Sequence, residues 1–173
     1  MKSYGLKQIV ISLQIIYLSL GSNQGDTVSL LNSAVQLLFE RVGQVLKLSA
    51  VYQTPALDFD GPDFHNCVVK LATALPPKKL LKTTQGIEVA LGRKVKSGSS
   101  YESRPIDIDI LFYSDAQIDT ADLTIPHPRL LERNFVLRPL ADIEGDTSAP
   151  VYKQPFNLLL SQSRDTSVVK REA

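Results

Sequence analysis

Between Ile106 and Ile110 the chain alternates isoleucine with aspartate, Ile106, Ile108 and Ile110 against Asp107 and Asp109. Alternation at period two is a strand signal, and it sends the isoleucines to one face and both carboxylates to the other. At a rise of ~3.3 Å per residue the two acids leave the backbone roughly 7 Å apart. Like charges that close resist ionising unless something positive lies between them. Hard cations such as Mg²⁺ take oxygen ligands, often one or two carboxylates completed by substrate phosphates. A half-solvated strand with acids on its outer face is the plainer reading, since acids are depleted in strands but not excluded. The strand has to lie in a sheet packed on its isoleucine face, with the aspartates on the open side.

The 173 residues fit one domain with an adequate core. With 43% apolar and 21% charged residues the chain reads as soluble and globular, which suits the cytoplasm and needs no membrane. A net charge of +1 argues against broad electrostatic binding to nucleic acid. The single cysteine, Cys67, excludes an internal disulfide framework and suits a reducing compartment. It lies in an apolar stretch, as a buried structural thiol does. Near the N-terminus, Ile9 to Leu20 is largely apolar and follows Lys2 and Lys7, a weak signal-peptide pattern. Ser12, Gln14 and Ser19 interrupt it, and it is too short to span a bilayer. The alternation of Ile16, Leu18 and Leu20 with Tyr17 and Ser19 reads instead as a first core strand after an extension of residues 1–14.

A helical pattern follows, with Leu31, Ala34, Val35, Leu38 and Val42 on one face. Asp26 or Thr27 can cap its start and Gly43 fits its end. Val45 to Tyr52 reads as a strand, residues 54–62 as a connection with two prolines and a glycine, and Phe64 to Thr73 as another strand. Pro76 and Pro77 open a second helix that runs to about Leu91, with Leu80, Leu81, Ile87 and Leu91 as core residues and Gly92 ending it. Residues 93–103 are basic and rich in glycine and serine, which predicts mobility. After the aspartate strand come Pro126-His127-Pro128, a short helical turn near Arg129 to Glu132, and the apolar run Phe135 to Leu137. Residues 148–173 carry little pattern and read as a partly disordered tail. The order β-α-β-β-α-β is the ferredoxin-like α+β arrangement, an antiparallel sheet with two helices on one face and the other face free for a site, here followed by a C-terminal appendage. The core domain is then residues 15–147.

Positive charge gathers around the acids in sequence: Arg93, Lys94, Lys96 and Arg104 before them, Arg129, Arg133 and Arg138 after. Guanidinium forks suit phosphate oxygens, and a Mg²⁺ bridging phosphates suits the acids, so the set points to a polyphosphate site. Any one of these bases on its own is more simply a neutralising surface charge. A P-loop is absent. The turn Gly21-Ser22-Asn23-Gln24-Gly25 could offer N–H groups to an anion, but a tight turn explains it as well. His127, held between two prolines, suits an oriented polar role better than core filling.

The chain resembles the 6-hydroxymethyl-7,8-dihydropterin pyrophosphokinase family. The resemblance runs through Leu18-Ser19-Leu20-Gly21-Ser22-Asn23, Val51-Tyr52-Gln53-Thr54-Pro55, Pro62-Asp63-Phe64-His65-Asn66, Gln85-Gly86-Ile87-Glu88, Gly92-Arg93, Ser103 to Leu111, Ile125-Pro126-His127 and Arg133 to Leu140. These pieces stand in the family's order across roughly residues 16–145. The resemblance implies transfer of the terminal two phosphates of ATP, the co-substrate, to the pterin hydroxymethyl oxygen, leaving AMP, in folate biosynthesis. It implies two Mg²⁺ ions on Asp107 and Asp109, and a catalytic set of Arg93, Arg104, Asp107 and Asp109. ATP-binding positions carried over are Gln85, Glu88, Arg93, Lys96, Tyr101, Arg104, Ile110, Thr124, His127 and Arg133; Glu88 also reads as structural. Pterin-binding positions are Thr54, Pro55, Leu57, Phe64, Asn66 and Phe135, the two phenylalanines as stacking rings and Asn66 as a donor and acceptor for the pterin edge. It implies a monomer, and a 93–103 lid that closes over ATP. That segment departs from the family: it is one residue longer than a common version, with Tyr101 where many members have tryptophan and Ser100 at an expected basic position.

Two other readings stand beside this one. A ligand-binding or regulatory module on the same fold would carry the acids as a surface feature, and AMP formation dependent on pterin and Mg²⁺ discriminates against it. An RNA-binding domain of this fold is disfavoured by the near-neutral charge and by acids, rather than exposed aromatics, on the final strand.

Overall fold

The structure, a computed structural model, describes residues 12–56, 60–94 and 103–172. Among the described residues eight strands and four helices follow in the order β1 (Gln14–Ser22), α1 (Thr27–Arg41), β2 (Gly43–Leu48), β3 (Tyr52–Thr54), β4 (Phe64–Thr73), α2 (Pro77–Ala90), β5 (Asp107–Tyr113), β6 (Ile118–Asp119), β7 (Thr124–Ile125), α3 (Asn134–Glu144), α4 (Phe156–Ser161) and β8 (Lys170–Arg171). A single 3-10 turn, Leu130–Glu132, precedes α3. The main sheet is antiparallel in the order β5-β1-β4-β3-β8, with β2 also paired to β4. This is the ferredoxin-like α+β arrangement.

Alternation assigns the two faces. Ile16, Leu18 and Leu20 of β1, Cys67, Val69 and Leu71 of β4, and Ile108 and Ile110 of β5 point toward α1 and α2. There they meet Leu31, Ala34 and Leu38 of α1 and Leu80 and Ile87 of α2 in one buried cluster. Asp26 caps α1, its carboxylate accepting the Ser29 N–H at 3.1 Å. Cys67 lies inside this cluster, and burial pushes its thiol pKa up to about 12, which makes it inert.

The opposite face differs from the expectation of a free surface. Its far half is covered by α3 and α4, where Tyr17, Val68, Leu111 and Phe112 pack against Val136, Leu137, Leu140, Phe156 and Leu159. The rings of Tyr17, Phe112 and Phe156 meet at centroid distances of 5.8–6.1 Å. Leu111 makes this packing possible. The β1–β5 register slips there, with Tyr17 opposite Phe112 and Leu18 opposite Ile110, so Leu111 is the extra residue of a bulge. Leu111 and Phe112 therefore both serve the second cluster, and the alternation that starts at Ile106 ends.

Two further expectations, the strand from Val45 to Tyr52 and the disordered tail, are corrected, and the unassigned run at Phe135 takes a form. The strand read from Val45 to Tyr52 is two strands, β2 and β3. Between them Ser49 pairs with Val68 through its own N–H (3.0 Å) and its hydroxyl accepts the Val68 N–H (2.9 Å), so a side chain carries the ladder past a bend. The run Phe135 to Leu137 belongs to an amphipathic helix that continues through Pro139 to Glu144. The tail is not patternless: α4 buries Phe156 and Leu159, and β8 adds to the edge of β3, with Arg171 opposite Tyr52 and Lys170 opposite Gln53. Among the described residues no helix is long and apolar enough to cross a membrane.

Candidate functional site

The uncovered half of the second sheet face is a row across four strands. Register places Asp107 of β5 beside Gly21 of β1, Gly21 beside Asn66 of β4, and Asn66 beside Tyr52 of β3. At ~4.8 Å per strand, Asp107 and Asn66 stand about 10 Å apart at the backbone with only Gly21 between them. Space at Gly21 is tight: a Cβ there would lie 2.9 Å from Asn66 Oδ1, which would have to shift, and 3.7 Å from Phe64 Cδ1.

The acidic end is built from β5, α2 and two loops. One Asp107 oxygen accepts from Arg93 Nη1 at 2.6 Å and the other from Arg104 Nη1 at 2.9 Å. Asp109 lies on the same face, with Arg133 Nη1 and His127 Nε2 each 3.9 Å from its Oδ2. Burial, and then the charge of Asp107, pushes the Asp109 pKa up to about 6, against the pull of Arg133, Arg104 and Arg93. A carboxylate in that state gains from any further cation. Among the described residues no third His, Cys, Asp or Glu joins the pair as a metal cluster. Two hard-oxygen donors on one face with basic groups around them fit Mg²⁺ whose remaining ligands come from a phosphate substrate and water.

Glu88, a full helix away in sequence, reaches this end from α2. Its Oε1 accepts the Ile108 N–H at 2.7 Å and an Arg93 guanidinium N–H. It thereby pins β5 at the peptide between the two aspartates. Burial pushes its pKa up to about 7, against the hydrogen bond from Ile108 and the charge of Arg93. Asn23 does similar work for Arg104. Its Oδ1 accepts the Arg104 N–H at 2.8 Å, and its Nδ2 donates to the Pro62 carbonyl and the Ser103 hydroxyl. The turn at 21–25 is therefore a staple for neighbouring loops. Sequence reading gave Asn23 no role, because its partners lie 39 to 81 residues away.

His127 is held by the bulge, its N–H donating to the carbonyl of Leu111 at 3.0 Å. Its Nδ1 accepts the Arg129 N–H at 3.2 Å, which leaves the proton on Nε2, the nitrogen facing Asp109. Burial, with Arg133 nearby, pushes its pKa down to about 4, so the imidazole is a neutral donor and its contact with Asp109 is not an ion pair.

Asn66 and Phe64 of β4 stand at the other end of the row, and Phe135 lies in the first turn of α3. Asn66 is buried and its Nδ2 donates to Thr54 Oγ1 at 2.9 Å. Phe64 and Phe135 are both half-buried, and Arg133 lies over the Phe135 ring at 5.5 Å from its centroid. Pro55 is exposed beside Thr54.

Three of the sequence-derived positions sit differently. Ile110 turns its side chain into the α1–α2 core, so only its main chain is available to a ligand. Gln85 lies on the exposed side of α2, one turn before Glu88. Thr124 is exposed in the β6–β7 hairpin, its hydroxyl 3.4 Å from Asp119 Oδ1. Leu57, Lys96 and Tyr101, and with the last two most of the proposed lid, lie outside the described residues.

The 7,8-dihydro-6-hydroxymethylpterin-pyrophosphokinase family matches residues 17–145. A 2-amino-4-hydroxy-6-hydroxymethyldihydropteridine pyrophosphokinase of Porphyromonas gingivalis is 47% identical over 134 residues, which cover 76% of this chain and 91% of that one. The protein of the same name from Aquifex aeolicus is 40% identical over 142 residues, 82% of this chain and 87% of the relative. Among solved structures, wild-type HPPK-DHPS of Plasmodium falciparum superposes with a TM-score of 0.72 at 16% identity, over 90% of this chain. The chain spans 45% of the length of that larger protein, and the likeness there is one of fold. With residues 17–145 of 173, about three quarters of its length, matched and relatives of comparable size at 40–47% identity, the chain belongs to the 7,8-dihydro-6-hydroxymethylpterin-pyrophosphokinase family.

Proposed function

We propose that the row from Asp107 to Asn66 is the active site through which this chain performs its family's reaction. As a member of the family it is a transferase of folate biosynthesis: pyrophosphate passes from ATP to the hydroxymethyl group of 6-hydroxymethyl-7,8-dihydropterin. The pterin hydroxymethyl oxygen attacks the β-phosphorus, the bond from that phosphorus to the α-bridging oxygen breaks, AMP leaves with that oxygen, and the hydroxyl proton passes to solvent. The observation that carries the reading is the geometry of two carboxylates, framed by Arg93, Arg104, Arg133 and His127, two strands from the buried amide of Asn66.

Asp107 and Asp109 would hold two Mg²⁺ ions. Bound there, the metal would supply neutralisation of phosphate charge and acidification of the attacking hydroxyl. Arg93 and Arg104, which cover Asp107 in the free protein, would turn to phosphate oxygens, so every charge keeps a partner when the nucleotide arrives. Neutral His127 donates its Nε2 proton, and Arg133 adds a fixed positive charge. Gln85 and Thr124, with the main chain of Ile110, would line the nucleotide side. Glu88 and Asn23 keep Arg93, Arg104 and β5 aligned, which matters because positioning supplies most of the barrier reduction in such transfers. Phe64 and Phe135 stack on the pterin, each face worth on the order of 1–3 kcal/mol. Asn66, with Thr54 fixing its rotamer and Pro55 beside it, reads the heterocycle edge. The protein works as a monomer in the cytoplasm.

Release of AMP from ATP tests the reading. It is expected to require both 6-hydroxymethyl-7,8-dihydropterin and Mg²⁺, and to stop on chelation; ADP as product, or AMP formation indifferent to the pterin, would refute it. Gly21→Ala checks the row itself. Its methyl group has to displace the Asn66 amide, so kcat/KM for the pterin should fall about tenfold, equivalent to about 1.4 kcal/mol, while the KM for ATP holds.

A further inference from the structure

The two walls of the proposed pterin pocket come from distant parts of the chain: Phe135 from the first turn of α3, and Asn66 and Thr54 from the β3–β4 edge. No side chain of α3 caps that first turn. Arg133 stands at its N-cap position and makes no side-chain cap, a role that arginine fills poorly. The cap is supplied from 31 residues downstream. The Asp165 carboxylate accepts the Asn134 N–H at 2.6 Å, and the Asn134 side-chain amide donates to the Asp165 carbonyl at 2.6 Å.

From there the chain runs to the other wall. The second Asp165 oxygen accepts the Ser167 N–H at 2.8 Å and turns the segment. Lys170 and Arg171 then pair with Gln53 and Tyr52, and the Glu172 N–H donates to the Val51 carbonyl at 2.9 Å. Tyr52 is the register partner of Asn66. One short segment is therefore fastened at one end to the residue before Phe135 and at the other to the strand that carries Thr54.

We propose that residues 163–172 form a strap that sets the gap between the two walls of the pterin pocket, with Asp165 as the positioning residue that governs pterin affinity. The inference rests on the pocket assignment made above. It also explains the arginine at the N-cap: Arg133 faces Asp109 and is unavailable for capping, so an anion from outside the helix replaces the missing cap and complements the helix dipole. Burial raises the Asp165 pKa, but the hydrogen bonds from Asn134 and Ser167 outweigh it and hold the group below the usual carboxylate range, ionised at neutral pH. Without the cap the first turn frays, and the Phe135 side of the proposed pocket loses its fixed position.

Steady-state kinetics of the full chain test this with Asp165→Ala, Asp165→Asn and Phe135→Ala. Asp165→Ala is expected to raise the KM for the pterin about tenfold with kcat at saturation changed less than about threefold. Asp165→Asn, which keeps an oxygen to accept the Asn134 N–H, should recover most of that loss. Phe135→Ala should raise the same KM at least as far. A lowered melting temperature in Asp165→Ala with an unchanged pterin KM would mean a purely structural brace and overturn the proposal, as would an Asp165→Asn variant no better than alanine. If Phe135→Ala raises the pterin KM and Asp165→Ala does not, the strap fails and the pocket stands. If Phe135→Ala leaves that KM unchanged, the pocket assignment fails and the strap with it.

Discussion

Asp109→Ala is expected to lower turnover by on the order of 10³-fold, the upper range for loss of one preorganised charge-stabilising group, while the protein stays folded. The two aspartates should differ in what they cost the fold. Asp107 pairs with Arg93 at 2.6 Å and Arg104 at 2.9 Å, whereas the basic groups nearest Asp109 stand at 3.9 Å. Asp107→Ala therefore releases two guanidiniums, one of which Glu88 still holds, and should lower the melting temperature. Asp109→Ala removes a carboxylate whose charge is disfavoured by burial and by its neighbour, so the metal-free protein should melt at the same temperature or higher. AMP release, paired with thermal melts in the presence of a chelator, checks both halves. Unimpaired AMP release from a folded Asp109→Ala protein would remove the metal role.

The second large effect is on stability. Glu144, at the C-terminal end of α3, has a side chain only 1% exposed. Its carboxylate accepts from the Lys70 ammonium at 2.6 Å, the Tyr17 hydroxyl at 3.1 Å and Lys47 at 3.4 Å, joining β1, β2 and β4 beneath α3. Burial raises its pKa, but Lys70, Tyr17 and Lys47 pull harder and the result lies below the ordinary glutamate value. Glu144→Ala strands the Lys70 charge and the Tyr17 hydroxyl, at a cost of about 3–5 kcal/mol. For a chain of this size that shifts the melting temperature by roughly 10 °C. The sign with pH follows from the depressed pKa: the contribution is complete above the unfolded-state glutamate pKa and is lost as pH falls through the lower folded value. The gap in melting temperature between wild type and Glu144→Ala should therefore be full at pH 7 and narrow in acid. A constant gap across that range would contradict the account.

How much was legible in advance depended on distance along the chain. The alternation of Ile106 to Ile110 assigned both faces of β5, because period two is a property of consecutive residues. The helical spacing of Leu31, Ala34 and Leu38 marked the core face of α1 for the same reason. The split between β2 and β3 was hidden, since the Ser49 hydroxyl that bridges it needs Val68 from another strand. The helical character of Phe135 to Glu144 was masked by Pro139, and its first turn takes its cap from Asp165, which no local pattern could supply. Glu88 was legible as a structural residue, but its partner was not, and Asn23 had no legible role, because each acts on a main-chain N–H of a remote segment and every residue but proline has one.

Local chemistry in the sequence thus placed the acids and the bases that gather around them, and marked which face of each core element had to be buried. Only the tertiary structure decided that Gly21 separates the acids from Asn66, that a bulge at Leu111 lets α3 and α4 cover half the sheet and anchors His127, and that the C-terminal segment joins the start of α3 to the edge of β3. Side-chain type and spacing are written residue by residue, whereas register, bulge position and remote caps come from pairings between segments tens of residues apart, whose energies depend on the whole packed arrangement.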